Sequence, residues 1–222
     1  MTVLTAAQNA AAVIGIPKPS KIFGSDEREH FELAALIIEM TERIKKEHDW
    51  NKLKSIYSIA GDGIAATYAL PSDYQRMLKE GQIWSSLRKG IPLTHIQDSD
   101  TWLSDILSLH IPENPQWTVY GEVMHFNPAP VSGEVVSFFY IKKLPDITSD
   151  DTVFPISERL LTLGMIWQWK ANKGLPYAED MQTYELELAK VMREDMGADV
   201  FAVGVDRYRP NNQFVTLKEL TP

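Results

Sequence analysis

The sequence predicts an α+β fold: a helical bundle built from both ends of the chain, a β-rich insertion between them, and an extended C-terminal tail. Three observations predict it. Apolar residues recur at helical spacing up to Trp50 and again after Leu144. Between Lys52 and Leu144 the period falls to two, and Ile, Val, Thr, Tyr and Phe dominate the runs. After Gly197 neither a capped helix nor a clean alternation is present. On this reading residues 1–51 and 150–197 form the bundle, 52–149 the insertion and 198–222 the tail.

The elements follow in order. Thr5-Ala6-Ala7-Gln8 has the spacing of a capping box and would open a helix over Ala6–Val13, which Gly15 and Pro17 end. Asp26-x-x-Glu29 would cap a second helix running to about His48. Its apolar residues Phe31, Leu33–Ile38, Met40 and Ile44 make a stripe wider than one face, so it should contact neighbours on two sides. Arg43, Lys45 and Lys46 lie in its last turns, where they suit the macrodipole.

Lys54–Ala60 and Ala65–Leu70 flank Asp62-Gly63, the signal of a two-residue hairpin turn with Gly63 at positive φ. Pro71-Ser72-Asp73 stops the second strand and starts a turn or short helix. Further strands are expected at Gln82–Leu87, Trp117–Phe126 and Glu134–Lys142. The last is apolar on both faces, as a central strand would be. Asp98-Ser99-Asp100 caps a short helix, Trp102–Leu109. Asp150-Asp151-Thr152 would cap a helix with Pro155 in its first turn and Ile156, Leu160, Leu163 and Trp167 at helical spacing. Gly174 and Pro176 end it. Ala178–Met196 carries Met181, Tyr184, Leu188 and Val191 on one face and stops at Gly197.

Composition narrows the chemistry. With no Cys, disulfides and thiolate metal sites are ruled out. No apolar run approaches the ~20 residues that span a bilayer, and the N-terminus lacks the basic-then-apolar pattern of a signal peptide. A net charge of -8 argues against tight nucleic-acid binding; it confers solubility, or lines a path along which DNA slides without sticking.

Motifs for catalysis are weak. Gly61-Asp62-Gly63-Ile64-Ala65-Ala66 matches a loose dinucleotide fingerprint, but Thr67, Tyr68 and Pro71 continue it as strand, not helix. Asp98-Ser99-Asp100 could begin a calcium loop, but Leu103 and Leu109 stand where Gly and Glu are required. His30, His48, His95, His110 and His125 are too far apart to pair on one helix face. Neither a catalytic residue, a cofactor nor a metal is expected. Trp167 and Trp169, two apart on a helix, cannot share a face. One should enter the core. The other needs a second partner: a neighbouring subunit, or a nucleic-acid base, which the acidic charge disfavours.

A long helix ending in Asp49-Trp50, then the Asp62-Gly63 turn, then Leu70-Pro71-Ser72-Asp73-Tyr74 resembles the head-to-tail connector, or adaptor, proteins of tailed bacteriophages. The resemblance implies a structural virion protein at the head–tail junction, made in the host cytoplasm, with no enzymatic activity. It implies a ring of roughly twelve copies joined through heterologous contacts. It also implies docking on the portal protein, a platform for a tail or nozzle protein, and a lumen through which DNA passes without specific binding. The excess apolar surface nominates Phe31, Ile38, Trp167 and Trp169 for the contacts between subunits. The tail 198–222 is net neutral and too apolar for a solvated segment. It either folds back on its own subunit or reaches the portal, with Phe201, Tyr208 and Phe214 as aromatic anchors and Arg207 and Arg209 as partners for carboxylates. A tail-completion or tail-tube protein is the alternative structural role, and a virion-borne cell-wall glycosidase the enzymatic one.

Overall fold

A computed structural model describes residues 2–108 and 111–197. It contains five α-helices and eight strands among those residues, in the mixed α+β order that the periodicity predicts. The chain divides into two compact units. One runs to Leu53 and resumes at Leu144; the other is Lys54–Lys143.

The first unit is helical. Helices α1 (Val3–Ile14), α2 (Arg28–Glu47) and α5 (Ala178–Met196) all pack against or near α4 (Glu158–Asn172), which touches each of them. A Cβ on Gly164 would sit 2.9 Å from the Met40 sulfur and 3.3 Å from the Tyr184 ring, so the bare backbone lets these two side chains lie directly against α4. Leu160, Leu161, Met165 and Trp167 of α4 and Leu33, Ile37, Met40 and Ile44 of α2 are buried, and the two helices pack together. Trp50 ends this stretch fully buried, its indole N–H donating to the Ile44 carbonyl at 2.8 Å. A single 3-10 turn, Asn51–Leu53, follows.

Three helix starts differ from the sequence reading, and each for a local reason. Thr2, not Thr5, is the first N-cap: its hydroxyl accepts from the Thr5 N–H at 3.3 Å. Glu27 precedes α2 without a side-chain cap, while Ser25 Oγ accepts from the Glu27 N–H and bonds His30 Nδ1. Ser157, not Asp150-Asp151-Thr152, caps α4, accepting from the Leu160 N–H at 3.2 Å. Pro155 therefore lies before the helix. Asp150 is engaged elsewhere: its carboxylate accepts from the Ile22 and Phe23 N–H groups at 3.1 Å, tying the two ends of the helical unit together. The Thr2–Val153 bridge and the Val3 N–H to Thr152 bond do the same.

The second unit is a two-layer β structure. In one sheet β8 (Val135–Lys142) is central, antiparallel to β1 (Lys54–Ala60) along all of β1. On its other side β4 (Ile83–Ser85) pairs with Val136–Phe138 and β3 (Tyr74–Met77) with the Tyr140–Lys142 end. The other sheet runs β2 (Thr67–Ala69), β7 (Val123–Asn127), β6 (Gln116–Tyr120), β5 (Thr94–His95). Ile59, Ile83, Val136, Phe138 and Tyr140 of the first sheet and Trp117, Met124 and Phe126 of the second fill the space between.

The expected hairpin across Asp62-Gly63 is not formed. β1 pairs with β8 and β2 with β7, so the two flanking strands belong to different sheets. Gly63 does have positive φ, +83°. The turn is bent by other forces: the Asp62 carboxylate accepts from the Ile64 and Ala65 N–H groups at 2.8 and 2.7 Å, and the Gly63 N–H donates to Pro130 O. It hands the chain from one layer to the next. The tight hairpin lies instead at Gly121-Glu122, where both central residues have φ near +60° and Tyr120 faces Val123. Trp117–Phe126 is thus two strands. β3 and β5 were not foreseen; both are short and lack alternation. α3 (Ser99–Leu107), capped by Asp98, connects the parallel pair β5 and β6.

Candidate functional site

Among the described residues no group of three or more His, Asp or Glu side chains converges as metal ligands would. Residues 61–66 form the interlayer turn and open no helix, so the backbone N–H array that a pyrophosphate needs is not built there. Among the described residues three carboxyls have displaced pKa values, each displaced downward. Glu32 is lowered by the hydrogen bond from Lys173, Asp62 by the backbone N–H groups of Ile64 and Ala65, and Asp98 by Thr101. No helix of the described residues is long and apolar enough to cross a membrane.

Exposed apolar residues gather on several faces. On α2, Phe31 and Ile38 are 59% and 47% exposed, with exposed Ala35 between them. Positions i, i+4 and i+7 share one helix face, so they form a continuous apolar stripe on the outside of the helical unit. Ile38 also lines an apolar groove of about 290 Å³ with Leu144, Ile147, Val153 and Phe154.

The two tryptophans of α4 part company as their spacing requires. Trp167 is 6% exposed, packed on Tyr184 and Tyr177 with the Arg43 guanidinium 5.2 Å over its ring. It is therefore the one of the two tryptophans that enters the core of its own unit. Trp169 is half-buried, with Lys173 Nζ 5.5 Å from its ring centroid. Lys173 also pairs with Glu32 at 2.6 Å, the residue after Phe31. That ion pair draws the Trp169 end of α4 to the start of the α2 stripe. Phe201, Arg207, Tyr208, Arg209 and Phe214 lie outside the described residues.

The insertion carries two further apolar surfaces that sequence reasoning missed. Ile56, Trp84, Val135 and Phe139 are exposed on the first sheet, and Leu103, Ile106 and Leu107 on α3. The apolar second face of β8 was the available signal.

The described residues form two closed cores and leave several apolar side chains exposed. The chain belongs to the SU10 adaptor protein family, whose model matches residues 1–212. This bears out the resemblance to phage head-to-tail adaptors read from Asp49–Tyr74. A search of curated proteins finds no match. As a phage adaptor the protein is a structural virion component that works with other head and tail proteins.

Proposed function

We propose that the protein forms a head-to-tail adaptor ring that docks on the portal, presents the attachment platform for the tail, and leaves a channel for DNA. Family membership supports the reading most strongly, and the exposed Phe31–Ala35–Ile38 stripe is the structural observation that carries it. In this reading the helical regions 1–51 and 150–197 meet their counterparts in neighbouring copies through Phe31, Ile38 and Trp169. Apolar area left uncovered in one subunit becomes interface in a cyclic assembly of about twelve. The tail 198–222 reaches the portal, where Phe201, Tyr208 and Phe214 supply anchoring rings and Arg207 and Arg209 pair with carboxylates. Net charge -8 per subunit, repeated around the ring, repels phosphates and keeps DNA from sticking.

Co-sedimentation with purified portal tests the reading. Full-length protein is expected to pellet with portal and to form rings in negative stain. Protein truncated after residue 197 is expected to keep its thermal transition and lose portal attachment. Attachment that survives truncation moves the contact off the tail, and a truncated protein that unfolds places the tail in its own core. Binding to tail protein but not to portal overturns the adaptor role in favour of tail completion.

A further inference from the structure

The sheet around β8 ends in an open edge. β1 pairs with β8 along its whole length and takes no strand on its other side among the described residues. Just past β1, the Gly61 N–H donates to the Glu134 carbonyl and the Gly61 carbonyl accepts from the Gly133 N–H, so both main-chain groups of Gly61 point to the β8 side. Successive residues of a paired strand aim these groups at opposite edges. Ile59, Tyr57 and Ser55 therefore share the direction of Gly61, and the N–H and C=O groups of Ile56, Ser58 and Ala60 point away from β8. No backbone hydrogen bond among the described residues reaches that side of these three, and all three are exposed.

Exposed edges are ordinarily guarded by shortness, charge, proline or a bulge. β1 has seven residues, no proline, no charge after Lys54 and no break in its register. It is a template for one more extended segment. The chain supplies such a segment at that place. The Asp195 carboxylate accepts from the Asn51 N–H at 2.8 Å, and the Asn51 side-chain amide donates to the Asp195 carbonyl. Asn51 opens the 3-10 turn whose last residue, Leu53, adjoins Lys54, the first residue of β1. Gly197, where α5 stops, is two residues past Asp195, so residues 198–222 depart a few residues' reach from the start of β1. Their first stretch, Val200-Phe201-Ala202-Val203-Gly204-Val205, holds no charge and no proline and is rich in Val and Phe, types that suit strands. Extended, it covers about 20 Å, close to the length of β1.

We propose that residues 200–205 add to the free edge of β1 in their own copy as a further strand, bonding the main-chain groups of Ile56, Ser58 and Ala60. The proposal needs neither the ring nor the portal; it goes beyond the reading above by fixing where the tail is rooted. Pairing uses the main chain, so the Phe201 ring still projects from the sheet. Arg207, Tyr208, Arg209 and Phe214 lie past the strand, on residues 206–222, which span about 55 Å when extended and stay free to reach a partner.

Amide hydrogen exchange followed by NMR on the full-length protein tests the pairing. An edge strand opens locally, below the global transition, so exchange reads it where melting does not. The Ile56, Ser58 and Ala60 N–H groups are expected to be protected in the parent. The variant is Ala202→Pro combined with Val203→Pro in the full chain. Neighbours in a strand donate to opposite edges, so one of the two prolines removes a ladder donor. It is expected to lose protection at Ile56, Ser58 and Ala60 and to keep it at Ser55, Tyr57 and Ile59, which face β8. Parent N–H groups that exchange unprotected overturn the proposal, as does protection that survives the prolines. Protection that disappears on dilution assigns the strand to a second copy and overturns the own-copy sense. Co-sedimentation with portal keeps the two readings apart: a protected parent that fails to pellet removes the portal reading and leaves the strand standing.

Discussion

Replacing Gly61 with Ala should be among the most damaging small substitutions in the insertion. Gly61 does not occupy the positive-φ region, so Ala carries no backbone penalty there. By chain entropy alone it would stabilise, by about 0.4–1 kcal/mol. The obstacle is the loop opposite. A Cβ at Gly61 would lie 2.4 Å from the Val131 carbonyl oxygen, 2.8 Å from that of Pro130 and 2.9 Å from the Pro130 carbonyl carbon. All three are backbone atoms and cannot rotate away. Relief requires the loop to retreat by about 1 Å, to the ~3.3–3.6 Å at which carbon and carbonyl oxygen normally meet. That retreat breaks or stretches the Gly61 N–H to Glu134 O bond at 2.7 Å and the Gly133 N–H to Gly61 O bond at 3.1 Å. Overpacking costs about 1–3 kcal/mol, and the strained hydrogen bonds about 1 kcal/mol each. Against the small entropic gain, the net destabilisation is about 2–4 kcal/mol. For a chain of this length that lowers Tm by about 4–16 °C. Urea unfolding followed by tryptophan fluorescence reads it as a lower midpoint with an unchanged slope. Gly133→Ala is the control: its φ is +84° with open space around it, so it costs only the left-handed strain of about 1–2 kcal/mol. Gly61→Ala unfolding at or above the parent temperature would refute the argument.

Two predictions concern side chains. Trp167→Ala removes a ring packed inside the helical unit and should cost about 3–5 kcal/mol, whereas half-buried Trp169→Ala should cost clearly less and instead weaken assembly; equal thermal shifts in melting experiments would contradict the burial of Trp167. Asp62→Ala deletes the acceptor for the Ile64 and Ala65 N–H groups. Because those bonds lower the folded-state pKa of Asp62 below 3.8, its stabilisation is present above that pH and is lost as pH falls through the folded value. The stability gap between parent and Asp62→Ala should therefore be widest near neutrality and close on acidification below pH 3.8, and a gap that is constant with pH would count against the carboxylate's role.

How far the fold was legible follows from which interactions are local. α5 was readable to the residue, because its stop at Gly197 and its Tyr184 face are written in consecutive turns. The Asp98 cap of α3 was readable for the same reason. Asp150 was misread because its partners, the Ile22 and Phe23 N–H groups, are 128 and 127 residues away. Asp62-Gly63 shows the same limit more sharply. Its local chemistry was correct, positive φ included, yet the strands on either side pair with β8 and β7 through contacts no window contains. For the candidate contact surfaces, Phe31 and Ile38 could be nominated because α2 has more apolar positions than one face holds. Trp167 could not be separated from Trp169, because two residues apart says that their faces differ, not which face is covered.

β8 carries this limit to its functional consequence. Val136, Phe138 and Tyr140 alternate with Val135, Ser137 and Phe139, and a strand apolar on both faces ordinarily belongs to a sheet covered on both sides. The structure supplies the central position, with pairing on both edges, but on the face opposite the core it buries Ile141 and leaves Val135 and Phe139 exposed. Phe139 and its cross-strand neighbour Ile56 remain exposed. A monomer would gain solubility from polar residues at those positions, as half-buried antiparallel sheets usually carry. Ser58 and Ser137 bond to each other at 2.8 Å between the apolar residues, which satisfies both hydroxyls without water and leaves that row ready to be buried. The apolar residues that made β8 read as a doubly covered strand are thus the ones left exposed on its second face.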